Sequence, residues 1–462
     1  MQFWSAAWGY FGMKMRLGTI ACGVGLLLAS AVAPVAGVVA ASAAGGVVPL
    51  LRLDSKRFAA PPTTAQCVAD LGIACYSPNQ FETAYDMKSL YAHGLTGRGK
   101  TIAIVDSFGS PTVKSDLATF DKAFGLPAPP KLTVIQPAGK VPAFDENNDD
   151  MVGWAEETSL DVQYAHAMAP GANILLVETP VSETEGLVGI PQIVTAENYV
   201  IKHHLADVIS QSFGATEETF PSKQSLLEQR SAFFNAAAHH VSVLAASGDS
   251  GPTDYQADGE NLYTHRVTGW PDSDPLVTAV GGTQLHLDAD GHRIAPDNTW
   301  NDTVLLDSPA ASGGGVSSVF RRPWYQHRVK GIVGSRRGVP DISLTAAVDG
   351  AALVYLGFGG VGGAGFYLIG GTSEATPMFA GVVAVADQAA RHDLGLLNPR
   401  LYALAARHAR GIPDITLGDN TVSFTQNGKS YTVPGFHARQ GYDLATGLGT
   451  VDGANLVREL AR

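Results

Sequence analysis

Positive charge is scarce in this sequence. Its 462 residues carry 31 Lys and Arg against 43 Asp and Glu, a formal net charge of −12. Nucleic acid binding needs concentrated positive charge, so nucleic acid is excluded as a partner. Cysteine is scarcer still, at three. No Cys-x-x-Cys and no suitably spaced histidine pair accompanies them, which argues against structural zinc. Cys22 falls in an apolar leader. Cys67 and Cys75 remain as an even pair and suggest one disulfide in an oxidising compartment. A phosphate loop is missing too, because Gly97-Arg98-Gly99-Lys100 lacks the spacing before Lys-Ser/Thr.

The leader has the marks of export. Lys14 and Arg16 precede a charge-free run from Leu17 to about Ala44 that ends in Ala41-Ser42-Ala43, a small-x-small cleavage pattern. The run is long enough to span a bilayer. Pro34 and the many Ala and Gly residues favour a cleaved signal peptide over residues 1–43, with Met13 or Met15 as a possible true start. The expected product is secreted and extracellular, a monomer, with no stable membrane association after cleavage. Residues 44–75 include Ala59-Ala60-Pro61-Pro62-Thr63-Thr64 and read as a short pro-segment or linker holding the Cys pair. Globular composition begins at Tyr76 and continues to residue 462, and 45% hydrophobic residues are ample for a large core.

From residue 76 the pattern alternates. Thr101-Ile102-Ala103-Ile104-Val105-Asp106 reads as a buried strand ending in a carboxylate. A helix from about Trp154 stops near Pro170, and a strand follows at Asn173–Val177. Further strands are expected at Val208–Ser212 and Val241–Ala246, with helices at 191–204 and 223–239. This alternation indicates an α/β sandwich with a mostly parallel sheet. No repeat or low-complexity tract interrupts it.

Three stretches can carry chemistry. Gly370-Gly371-Thr372-Ser373 leads into an apolar helix with an early proline, Pro377, placing Ser373 at a helix N-terminus that favours developing negative charge. Alone, Gly-Thr-Ser before a helix is an ordinary cap. Glu157 and Asp161, four apart, share a helix face, whereas Glu156 points elsewhere. Adjacent carboxyls cannot both ionise cheaply, so such a pair can take a serine proton in acid, where histidine is already protonated. The competing reading is a solvated acidic face, but the apolar neighbours Trp154, Leu160, Val162 and Tyr164 argue for burial. Val243–Ala246 then runs into Ser247-Gly248-Asp249-Ser250-Gly251. Asp249 is either a capping carboxylate or, when protonated, a hydrogen-bond donor to an oxyanion. Gly-Asp-Ser-Gly also makes Ser250 a rival nucleophile of the chymotrypsin kind. That fold is all-β, and its Ala-Ala-His-Cys is absent.

The order Glu157/Asp161, Asp249, Ser373 resembles the sedolisins, the serine-carboxyl peptidases, over about residues 76–462. The motifs that carry the likeness are Glu-x-x-Leu-Asp-Val before Ala-Pro-x-Ala, Ser-Gly-Asp-Ser-Gly, and Gly-Gly-Thr-Ser-x-x-x-Pro. Val277–Thr283, Ser312–Gly315 and Arg337–Asp341 support them. The resemblance implies a subtilisin-like three-layer α/β sandwich and a secreted, acid-acting serine-type endopeptidase whose substrates are proteins or peptides. It makes Ser373 the nucleophile, Glu157 the base, Asp161 its orienting partner and Asp249 the oxyanion acid. Asp106 falls where subtilisins carry their triad Asp. The matching His-Gly-Thr is replaced by Glu-Thr-Ser near 157, and His166 reads as structural, which leaves Asp106 a supporting role. The resemblance also implies Ca2+ held by Asp414 and Asp443 carboxylates and by Ile415, Arg439 and Gly441 carbonyls, a hard-oxygen set suited to that ion. Arg439 stands where the family often has Gly. The family's long pro-domain has no counterpart in the roughly 30 residues between Ala43 and Tyr76. The alternatives are a tripeptide-releasing exopeptidase of the same family and an inactive secreted binding protein.

Overall fold

Aliphatic runs without polar alternation build the centre of the molecule. The computed structural model describes residues 51–52 and 56–462, and the expected signal peptide at 1–43 lies outside the described residues. Strand β1, Thr101–Ser107, is buried beyond its first residue, as a parallel strand covered on both faces must be. It is joined by β2 (Leu132–Ile135), β3 (Asn173–Thr179), β4 (Val208–Gln211), β5 (Ser242–Ala246), β6 (Thr278–Gln284), β7 (Asn298–Thr299) and β8 (Ile342–Thr345). The sheet order is β7-β6-β5-β4-β1-β3-β2, with β8 also pairing β6. Every pairing is parallel except that of β7 with β6. From β1 the chain leaves towards β2, whereas from β4 it leaves towards β5. Such a switch point opens a crevice at the carboxyl ends of the two strands.

Helices cover both faces. The relevant ones are α1 (Asp149–Met168), α2 (Ile190–Lys202), α3 (Ser231–His239) and α4 (Thr372–Ala390). Side chains alternate along a strand, so Ile102 and Ile104 pack with residues of α1 and α4, while Ala103 and Val105 pack with residues of α2 and α3. The result is the expected three-layer sandwich. Asp106 has the parity of Ile102 and Ile104, which turns it to the α1 side. Helices α1 and α4 cross at Gly381, where an added Cβ would lie 2.5 Å from the Met168 Cβ and 3.2 Å from the Ala165 carbonyl. Only glycine permits that approach, and α1 is consequently buried from Met151 to Met168.

Two expectations need revision. The span 223–239 is a helix at Lys223–Leu227, a 3₁₀ turn at Glu228–Arg230, and then α3. The segment read as a linker or pro-segment is built into the body from residue 56. Thr63 caps a helix over Thr64–Leu71, and Cys75–Tyr76 pairs with Ala351–Leu356 in a second, four-stranded sheet. Cys67 and Cys75 are fully buried and joined in a disulfide. Apolar Cys67 and Ile73 packing beneath that sheet outweigh the linker-like Pro-Pro-Thr-Thr composition.

Candidate active site

Helix α1 begins at an Asn148 cap, whose side chain accepts from the Met151 amide at 3.1 Å. Two turns in, Glu157 and Asp161 are fully buried. Burial pushes Glu157 well above the ordinary carboxyl range, Asp161 and Asp106 push the same way, and the Ser373 hydroxyl draws it partly back. Ser373 is itself fully buried beside this carboxyl. Asp161 is raised well above its usual range by burial and by Asp106, against hydrogen bonds from Ser212 and Glu157. Asp106 is also fully buried and is pushed to about 7 by burial, with the Thr158 hydroxyl opposing. The site thus contains three mutually repelling carboxyls rather than two, and the group holds protons into the neutral range.

Helix α4 supplies the hydroxyl. Gly371 precedes it at φ 124°, a conformation that L side chains rarely adopt, and Thr372 and Ser373 form its first turn. Pro377 lies one turn further in than a first-turn proline. Its missing N–H is the one that would have bonded the Ser373 carbonyl. Ser212, just past β4, stands 3.5 Å from that carbonyl and donates to Asp161 Oδ1 at 2.9 Å. One serine therefore ties the carboxyl pair to the backbone of Ser373. Its signal in the sequence was its place at a strand end, which acquires meaning only once β4 is known to border β1.

Asp249 follows β5 and is partly exposed. Its Oδ1 accepts from the Thr372 N–H and the Thr372 hydroxyl, both at 2.7 Å. Its Oδ2 has no hydrogen-bond partner. Burial pushes Asp249 to about 7, Thr372 lowers it, and Asp254 raises it. Below that pH a proton sits on the free oxygen, and the carboxyl becomes a donor anchored to the residue before Ser373. His166 is used elsewhere, with Nε2 2.8 Å from the Pro127 carbonyl and 3.3 Å from Asp121.

The five residues expected to hold calcium fall into two neighbouring loops. Asp414 Oδ2 accepts from the Gly441 N–H at 2.8 Å, and Asp443 Oδ2 accepts from the Arg439 N–H at 3.0 Å. Gly441 has φ +80°, whereas Arg439 is absent from the positive-φ residues, so its side chain costs the loop nothing. Ile415 is buried beside Asp414. Burial raises both carboxyls. An all-oxygen set in two adjoining loops fits a hard cation. Elsewhere, Asp288, Asp290 and His292 bring ligand atoms within 4.8 Å of one another on a surface turn.

Known proteins resemble this chain over most of its length. Residues 138–442 match the subtilase family. Kumamolisin of Bacillus sp. (strain MN-32) is 33% identical over 400 residues, covering 83% of this chain and 63% of the relative. Sedolisin of Pseudomonas sp. (strain 101) is 30% identical over 385 residues, covering 82% and 60%. This chain therefore spans less than two thirds of the length of these relatives. The solved structure of Pseudomonas sedolisin, a serine-carboxyl proteinase complexed with two molecules of pseudo-iodotyrostatin, superposes with TM-score 0.68 at 27% identity, covering 84% of this chain and 98% of that one.

Proposed function

We propose, from the premise that this chain belongs to the subtilase family and within it to the sedolisins, that it is an acid-acting serine-carboxyl endopeptidase. Ser373 attacks the scissile carbonyl as its proton passes to Glu157, which Asp161 orients and Ser212 holds in register. The negative charge on the carbonyl oxygen is met by the protonated Oδ2 of Asp249. Collapse of the tetrahedral species, with a proton returned to the leaving amine, gives an acyl-enzyme on Ser373 that water hydrolyses. The observation that carries this reading is Asp249, with one oxygen locked by Thr372 and the other free beside the nucleophile's own turn.

The chemistry runs in acid for a stated reason. Asp249 donates only below about 7, and the Glu157–Asp161–Asp106 group is arranged to exchange protons rather than to ionise fully. Secretion is part of the proposal: residues 1–43 act as the export signal, and the Cys67–Cys75 bridge belongs in an oxidising compartment. Asp414, Ile415, Arg439, Gly441 and Asp443 would hold calcium, which would fix the two loops and takes no part in the chemistry.

The test is cleavage of a denatured protein across about pH 2 to 8, with Ser373→Ala and Glu157→Ala beside the parent. Acid-limited cleavage lost in both variants is expected. Mass analysis should find internal fragments rather than a ladder of tripeptides. A neutral optimum that survives Glu157→Ala refutes the mechanism.

A further inference from the structure

The scarce positive charge of this chain is unevenly placed. From Ser308 to Pro340 there is no Asp or Glu, yet Arg321, Arg322, Arg328, Lys330, Arg336 and Arg337 all fall there. Arg337 is buried and paired with Asp341, its Nη1 2.7 Å from Oδ1. None of the other five forms an ion pair among the described residues. Arg321, Arg328 and Lys330 are exposed, and Arg322 and Arg336 are partly so.

Their arrangement works against the fold unless an anion meets it. Arg321 and Arg336 stand directly opposite each other in a two-stranded antiparallel sheet of Gly315–Arg321 and Arg336–Val339. Like charges in that position weaken a sheet. The strands are joined by a 3₁₀ turn, Trp324–Val329, and a short helix, Lys330–Val333. This connection is pinned from the inside. The Gln326 amide donates to the Gly338 carbonyl at 2.6 Å and accepts from its N–H at 3.0 Å, and the Tyr325 hydroxyl donates to the Pro275 carbonyl at 2.9 Å. Arg322 donates to the Gly334 carbonyl, and Arg336 to the Val319 carbonyl at 3.4 Å, which ties both guanidiniums to the backbone. Trp324 nevertheless points outwards, 75% exposed, with only its ring edge against Tyr325. Arg328 follows it by about one turn.

We propose that this face docks reversibly on an anionic lipid membrane, with Trp324 at headgroup level and the five unpaired cations against lipid phosphates. A tryptophan ringed by arginine and lysine suits that interface, where one side of the ring is apolar and the other wet. The contact is with the surface alone, since no helix among the described residues is long and apolar enough to cross a membrane. Phosphate is favoured over carboxylate as the anion. On the acid-acting reading above, an acidic peptide loses its charge as pH falls through the carboxyl range, whereas arginine and a phosphodiester keep theirs. A long soluble polyanion fits less well, because beyond this patch the chain is more acidic than its net charge of −12. A planar guanidinium also matches phosphate in a way that an ammonium does not.

The experiment sediments the secreted chain with vesicles of phosphatidylcholine, with and without phosphatidylglycerol, in mildly acidic buffer. Partitioning onto the anionic vesicles should exceed that onto the neutral ones by about tenfold or more and should fall as salt rises. Trp324 emission should shift to the blue on binding. Arg321→Gln combined with Arg336→Gln should weaken binding by about tenfold or more. Trp324→Ala should weaken it too and remove the shift, each variant being checked by its melting curve. Equal partitioning onto both vesicle types overturns the proposal, as does binding unchanged in both variants. Binding to a DNA duplex with none to vesicles also overturns it, in favour of a soluble polyanion. The readout needs no cleavage, so each of these failures leaves the peptidase reading standing.

Discussion

Glu197→Gln should stabilise the protein at neutral pH and leave it nearly unchanged in acid. Glu197 lies on α2, almost fully buried. One of its oxygens accepts from the Gln211 amide, and the other has no partner. Burial alone pushes it from 4.5 to about 8. The native state therefore keeps a proton that the unfolded chain releases above 4.5. Stability from this group is fully present below 4.5 and drains away as pH rises towards 8, because the native state binds more protons than the unfolded one. At about 1.4 kcal/mol per pH unit, the loss is about 3 kcal/mol by pH 7 and about 5 kcal/mol once 8 is passed. Glutamine keeps the shape, needs no proton, and can donate to the unpartnered Gln211 oxygen. Guanidinium unfolding of parent and variant at about pH 4 and about pH 7 isolates the effect, since packing differences cancel between the two pH values. The variant should gain about 3 kcal/mol on the parent between them. An equal difference at both pH values would refute the reasoning.

Asp249→Ala removes the proposed oxyanion donor and should lower kcat by about 10²–10³ with the fold intact, measured on a peptide in acid; an unchanged kcat would remove Asp249 from the mechanism. Gly381→Ala drives a methyl to 2.5 Å from Met168 and should destabilise by about 1–3 kcal/mol or more in a denaturant melt. Because α1 must shift, activity should fall with it. Chelation should lower the melting temperature of the parent, and Asp414→Ala should abolish that sensitivity; a transition indifferent to chelator would count against the ion.

The sequence made most of the proposed site readable because its residues stand in local patterns. Ser373 sits between glycines and a helix, Glu157 and Asp161 are four residues apart, and Asp249 follows an unbroken aliphatic strand. What could not be read depends on elements meeting from far apart in the chain. Asp106 faces the carboxyl pair because of its parity in β1, and that parity matters only once α1 is known to cover that face. Ser212 bridges Asp161 and the Ser373 carbonyl because β4 is the neighbour of β1. The Pro-Pro-Thr-Thr segment misled because turn-rich composition is silent about a disulfide and a sheet edge that hold it in place.

Position and acidity in this site have one cause. Helix α4 must approach α1 closely for Ser373 to reach Glu157, and Gly381 allows it. The same approach removes water from α1 over several turns, and that desolvation leads the forces raising Glu157 and Asp161. A carboxyl placed on α1 by a looser crossing would stay solvated and ionised, a weak base in acid and a poor match for a serine proton. Loosening the crossing should therefore move the pH profile as well as the rate: in any Gly381 variant that still folds, the apparent pKa of the carboxyl group falls, and the acid limb of activity moves to lower pH as kcat drops. A fall in kcat with the limb unmoved would separate positioning from desolvation and break the link between them.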